Sequence, residues 1–98
     1  MNKYIDSVKS RLKSDLPHLK NDYRIEKIGI FGSVAKGVQK STSDVDILVD
    51  FSQSPGFFGF LELEEYLSKL LHRKVDLVTG NGLKKTLKTE IMRHVIYV

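Results

Sequence analysis

The segment Asp44-Val45-Asp46-Ile47-Leu48-Val49-Asp50-Phe51 is the clearest strand in the sequence. It lies in a chain that keeps switching between helical and extended patterning. Ile5, Val8, Leu12 and Leu16 recur at helical spacing as far as Pro17, which predicts an amphipathic helix over about residues 2–16. Residues 25–31 are rich in β-branched side chains and read as a strand closed by Gly32. Residues 33–36 form one short helical turn ending at Gly37, and the polar loop 39–43 leads into the strand 44–51. Beyond a turn containing Pro55, a helix over about residues 57–72 turns Phe60, Leu63, Leu67 and Leu70 or Leu71 inward. Residues 73–79 read as a third strand, ended by Gly80-Asn81-Gly82. A last helix over about 83–95 carries Leu83, Leu87, Ile91 and Val95 in one stripe. The order α-β-α-β-α-β-α predicts an α+β fold, a small mixed sheet flanked by helices. No repeat or linker interrupts it, so residues 1–98 are expected to form a single domain.

Composition narrows the function classes. With 41% hydrophobic and 29% charged residues the chain is of globular type. It lacks both the run of roughly 18–20 apolar residues that spans a membrane and an apolar signal segment at its start, so no membrane partner is expected and a cytoplasmic location is. Without cysteine, thiolate metal sites and disulfides are excluded. The net charge of +4 is compatible with a phosphate-bearing ligand but says little alone.

Three carboxylates stand out. Asp44 and Asp46 are two apart on a strand, so both side chains project from one face, with Cβ atoms roughly 6.5 Å apart. Asp76 lies between the apolar Val75 and Leu77 of the next strand, and can join them if the strands are neighbours. Aspartate is depleted in strands, and clustered carboxylates repel: at about 4 Å and an effective dielectric near 20, each pair costs on the order of 4 kcal/mol. Protons or a cation relieve that, and hard oxygen donors suit Mg²⁺ or Mn²⁺. Two such ions would clamp an in-line phosphoryl displacement. An EF-hand starting at Asp44 fails, because Leu48 and Pro55 stand where it needs oxygen ligands. Scattered histidines (His18, His72, His94) make zinc a poor fit.

A second element precedes the carboxylates: Gly29-Ile30-Phe31-Gly32-Ser33-Val34-Ala35-Lys36-Gly37, a strand running into a glycine-bounded turn. Backbone N–H groups at such a junction suit phosphate oxygens, the Ser33 hydroxyl adds a donor, and Lys36 adds a mobile positive charge. It is not a P-loop, since Val38 stands where that motif has lysine.

Gly32-Ser33, ten residues, then Asp44-Val45-Asp46 resembles the signature of the DNA polymerase beta-like nucleotidyltransferases. The fuller runs Gly32-Ser33-Val34-Ala35-Lys36-Gly37 and Ser43-Asp44-Val45-Asp46-Ile47-Leu48-Val49 look like its minimal members, the antitoxins paired with HEPN-domain toxins. The resemblance spans about residues 25–80. It implies the nucleotidyltransferase fold, with Gly32 and Ser33 holding the β- and γ-phosphates of ATP or another nucleoside triphosphate and Lys36 nearby. It further implies Asp44, Asp46 and Asp76 as metal ligands for two Mg²⁺ (or Mn²⁺) ions, with Asp76 also a base for the attacking hydroxyl. Lys36 departs from the arginine common in the family, keeping the charge and losing the bidentate fork. The implied reaction transfers a nucleoside monophosphate, AMP foremost, to a hydroxyl, in the toxin-neutralising members a tyrosine of the HEPN partner. A transferase acting on a small molecule or a nucleic-acid end, and an antitoxin that only binds, are the alternatives.

A chain this short is expected to lack a dedicated acceptor-binding domain, so that something else would hold the acceptor. Of the aromatics in Phe57-Phe58-Gly59-Phe60-Leu61, at least two are expected in the core, and an exposed remainder would be a docking patch. Lys84, Lys85 and Lys88 read as a solvated face. Nucleic acid is not indicated, because no aromatics interleave with the lysines. His94 and Tyr97 are expected to pack or to face solvent.

Overall fold

The computed structural model describes residues 3–40 and 42–98. Residue 2, where the first helix is expected to begin, and Ser41 of the polar loop lie outside them. The elements run α1 (Lys3–Ser14), α2 (Leu16–Asp22), β1 (Ile25–Phe31), α3 (Gly32–Lys36), β2 (Val45–Phe51), α4 (Gly56–Leu71), β3 (Val75–Thr79), a 3₁₀ turn (Gly80–Gly82), α5 (Lys85–Met92) and β4 (Ile96–Tyr97). Among the described residues the sheet has the order β3-β2-β1-β4. β2 pairs antiparallel with β1, β1 antiparallel with β4, and β2 parallel with β3. The fold is therefore α+β with a small mixed sheet, as expected, and α4 makes the crossover that a parallel pair requires.

Alternation along the strands divides the sheet into two faces. Val45, Ile47 and Val49 of β2 lie level with Ile30 and Ile28 of β1 and with Val75 and Leu77 of β3, all facing one way. Val8 and Leu12 of α1, Leu19 of α2 and Leu63, Leu67 and Leu71 of α4 pack onto that face and complete the core. The opposite face carries Asp46, Leu48 and Asp50, so the apolar run of β2 conceals two environments. Leu48 is buried there too, apart from the main core.

Four expectations are corrected. The helix expected over 2–16 is α1, which ends at Ser14, and an unexpected second helix follows it, because Pro17 falls in the first turn of α2, where its missing N–H costs no hydrogen bond, so it opens a helix where it was expected only to stop one. The helix expected over 83–95 is shortened to α5, because the chain beyond it becomes β4. Val95 and Tyr97 approach so close over Gly29 that a Cβ there would stand 2.7 Å from Val95 Cγ2. The stripe fails with it: of its four residues only Leu87 and Ile91 lie in α5, no residue of α5 is buried, and Leu87 is 53% exposed. Finally, only one of the three aromatics near the start of α4 packs on the core. Phe60 does, while Phe57 and Phe58 are 71% and 82% exposed and touch each other edge to face.

Candidate active site

Topology gathers the motif residues at one end of the sheet. Because β1 and β2 are antiparallel, the C-terminal end of β1 meets the N-terminal end of β2, and Phe31 lies opposite Asp46. Because β2 and β3 are parallel, their N-terminal ends coincide, and Asp76 lies level with Asp46. Asp44 immediately precedes β2, which begins at Val45 and not at Asp44 as expected. It stands two residues before Asp46, near enough for its charge to raise the Asp46 carboxyl.

Gly32 ties the turn to the carboxylates. It adopts φ 71°, a left-handed backbone that favours glycine. A Cβ on it would lie 2.9 Å from the carboxyl carbon of Asp46 and 3.2 Å from its Cβ. Two independent constraints, backbone angle and space, therefore ask for glycine here, and the second exists only because Asp46 is pressed against the turn. α3 follows at once, anchored by the buried Val34 and closed by Gly37 at φ 75°, whose N–H bonds back to Val34 O at 3.1 Å. Ser33 is half-buried in its first turn and Lys36 is exposed at its end.

The three carboxylates share one electrostatic environment. Burial raises the Asp46 carboxyl above its ordinary value, and the charges of Asp76 and then Asp44 push it the same way. Asp76 is exposed and Asp44 half-exposed. Lys74 Nζ stands 4.0 Å from Asp44 Oδ2, an exposed pairing that contributes little. Among the described residues, no three Asp, Glu or His side chains stand close enough to chelate an ion as they are. Asp44, Asp46 and Asp76 thus form an open set of hard oxygen donors at a sheet end. That donor chemistry fits Mg²⁺ or Mn²⁺.

Some neighbours were not legible beforehand. Glu90 and Ile91 of α5 and His94 behind it join Phe31, Gly32 and Lys36 around a cavity of about 230 Å³. His94 therefore faces the glycine turn, which sequence position gave no reason to expect. Asp50 shares a face with Asp46 but lies against Gly80, where a Cβ would stand 2.7 Å from its Oδ1, and it takes no part in the cluster. A larger hollow of about 530 Å³ between α2 and the start of α4 is lined by His18, Asp22, Arg24 and Glu62 among others, and holds none of the motif residues.

Comparison with known proteins identifies the family of this fold. A family model described as "Polymerase beta, Nucleotidyltransferase" matches residues 16–98. The chain is 42% identical over 94 residues to "Protein adenylyltransferase MntA" of Thermococcus cleftensis, covering 96% of this chain and 95% of that protein. The solved "Structure of putative minimal nucleotidyltransferase" superposes with a TM-score of 0.80 at 29% identity, covering 98% of this chain and 95% of that one. A crystal structure of a toxin–antitoxin with AMP-PNP superposes with a TM-score of 0.72 at 25% identity, covering 87% of this chain and 70% of that one.

Proposed function

The chain belongs to the polymerase beta nucleotidyltransferase family and is a nucleotidyltransferase; from that premise we propose that it transfers AMP from ATP to a tyrosine hydroxyl of an HEPN-type partner protein and so acts as an antitoxin. The observation that carries this reading is the meeting of Gly32 with Asp46, and of Asp46 with Asp76, at one sheet end. The adenylyltransferase name of a relative matching nearly the whole chain supports a protein acceptor. The toxin–antitoxin structure with AMP-PNP supports both an adenine nucleotide and a partner.

In this reading Gly32 and Ser33 receive the β- and γ-phosphates, and the exposed Lys36 adds positive charge beside them. Asp44, Asp46 and Asp76 would hold Mg²⁺ or Mn²⁺, which supplies charge neutralisation at the phosphates. The acceptor oxygen bonds to the α-phosphorus while the bond from that phosphorus to the bridging oxygen breaks, and pyrophosphate leaves. Asp76, exposed at the strand edge, is the carboxylate best placed to take the hydroxyl proton. The protein's part is mainly to position the groups.

The test is incubation with α-labelled ATP and Mg²⁺, with and without the protein encoded beside this one. Label should appear on that protein and be lost with Asp44→Asn. Tight binding of the two proteins without any labelling would replace catalysis by neutralisation through binding alone.

A further inference from the structure

Among the described residues β3 is an edge strand, paired with β2 on one side only. Its residues alternate in the direction of their N–H groups, so those of Val75 and Leu77 point away from β2. An edge of this kind is a row of donors open to unwanted pairing. Here both are taken by α4. Leu77 N–H donates to Glu64 Oε2 at 2.9 Å and Val75 N–H donates to Ser68 Oγ at 3.0 Å. The Ser68 hydroxyl in turn donates to Glu64 O at 2.9 Å.

The match has a geometric basis. Glu64 and Ser68 are four residues apart on a helix, a rise of about 6 Å. Val75 and Leu77 are two apart on a strand, a rise of about 6.6 Å. Helix and strand run in opposite directions, so one turn of α4 stands in for a neighbouring strand. Asp76 lies between the two anchored residues, level with Asp46. Like charges directly opposite on neighbouring strands repel, and the two bonds hold β3 from its far side.

We propose that Glu64 and Ser68 are positioning residues, which anchor the edge of β3 so that Asp76 stays opposite Asp46 as part of one cation-binding set. The inference rests on the reading of Asp44, Asp46 and Asp76 as metal ligands. Neither Glu64 nor Ser68 touches substrate in this role; both act through the backbone of the residues flanking Asp76. Groups bonded directly to a metal ligand change metal affinity by roughly 10- to 100-fold when removed, and anchors that act through the flanking backbone fall at the lower end of that range.

Calorimetric titration with Mn²⁺ alone tests this on the wild type, Glu64→Ala, Glu64→Gln, Ser68→Ala and Asp44→Asn, with amide exchange at Val75 and Leu77 measured in parallel. Glu64→Ala should weaken Mn²⁺ binding roughly tenfold and speed exchange at Leu77. Glu64→Gln, which keeps an oxygen acceptor but not the charge, should bind closer to wild type than to the alanine variant. Ser68→Ala should weaken binding and free the Val75 amide, and it carries the test if Glu64→Ala does not fold. Unchanged Mn²⁺ affinity in folded alanine variants whose amides exchange faster would overturn the inference while leaving the site intact. Wild-type affinity in Asp44→Asn, or no binding by the wild type, would overturn the metal site and this inference with it.

Discussion

Replacing Asp46 by asparagine removes one charge from the carboxylate cluster and leaves the side chain's shape almost unchanged. In the wild type, burial raises the Asp46 carboxyl above its ordinary value of 3.8, and Asp76 and Asp44 raise it further. A carboxyl whose folded pKa exceeds its unfolded pKa contributes stability that is fully present below the unfolded value and lost as pH rises through the folded one. At neutral pH the wild type has lost that contribution, whereas asparagine has nothing to lose. The size follows from the register. Asp46 and Asp76 lie level on neighbouring strands, about 5 Å apart. Two charges at that distance repel by about 0.8 kcal/mol at the dielectric of water and about 3 kcal/mol at an effective value of 20. Asp76 is exposed, so the lower end governs and the gain is about 1 kcal/mol, or roughly 4–8 °C in Tm for a domain of this size. The chain has no tryptophan, so melting is followed by far-UV circular dichroism in EDTA. Asp46→Asn should melt above the wild type at neutral pH, and the gap should close as the pH falls below 3.8. Mn²⁺ should raise the Tm of the wild type alone. An Asp46→Asn protein that melts at or below the wild-type temperature in EDTA at neutral pH would refute the reasoning.

Gly32→Ala forces a side chain into a left-handed backbone and against the Asp46 carboxyl, and should cost about 1–3 kcal/mol in urea denaturation together with the transfer activity. The double change Phe57→Ser and Phe58→Ser, at strongly exposed positions, should shift stability by no more than about 0.5 kcal/mol. Leu67→Ala, at a fully buried one, should cost about 2–5 kcal/mol by the same assay.

Local patterning revealed most of the elements, because a buried helix face or strand repeats its apolar residues at a fixed period. β4 escaped because two residues are too few to show one. α2 escaped because Pro17, in a helix's first turn, reads equally well as the end of the helix before it. Phe57 and Phe58 misled because apolar character alone does not say where a helix outruns the sheet beneath it. α4 reaches the core through Phe60, Leu63, Leu67 and Leu71, while its first turn lies beyond that contact.

By itself, the sequence carried the candidate chemistry: a carboxylate on a strand with another just before it, a third on another strand, and a glycine-bounded turn ahead of them. It also set the two-residue separation of Asp44 from Asp46, which is a local property of the chain. Only the tertiary structure decided that Asp76 stands level with Asp46 and that Gly32 yields its space to the Asp46 carboxyl. Those contacts depend on which strands pair, in which direction and in what register. The crossover through α4, the antiparallel return of β1 onto β2 and the anchoring of β3 by Glu64 and Ser68 supply that information. No window of consecutive residues contains it, because pairing energy accrues between segments that are distant along the chain.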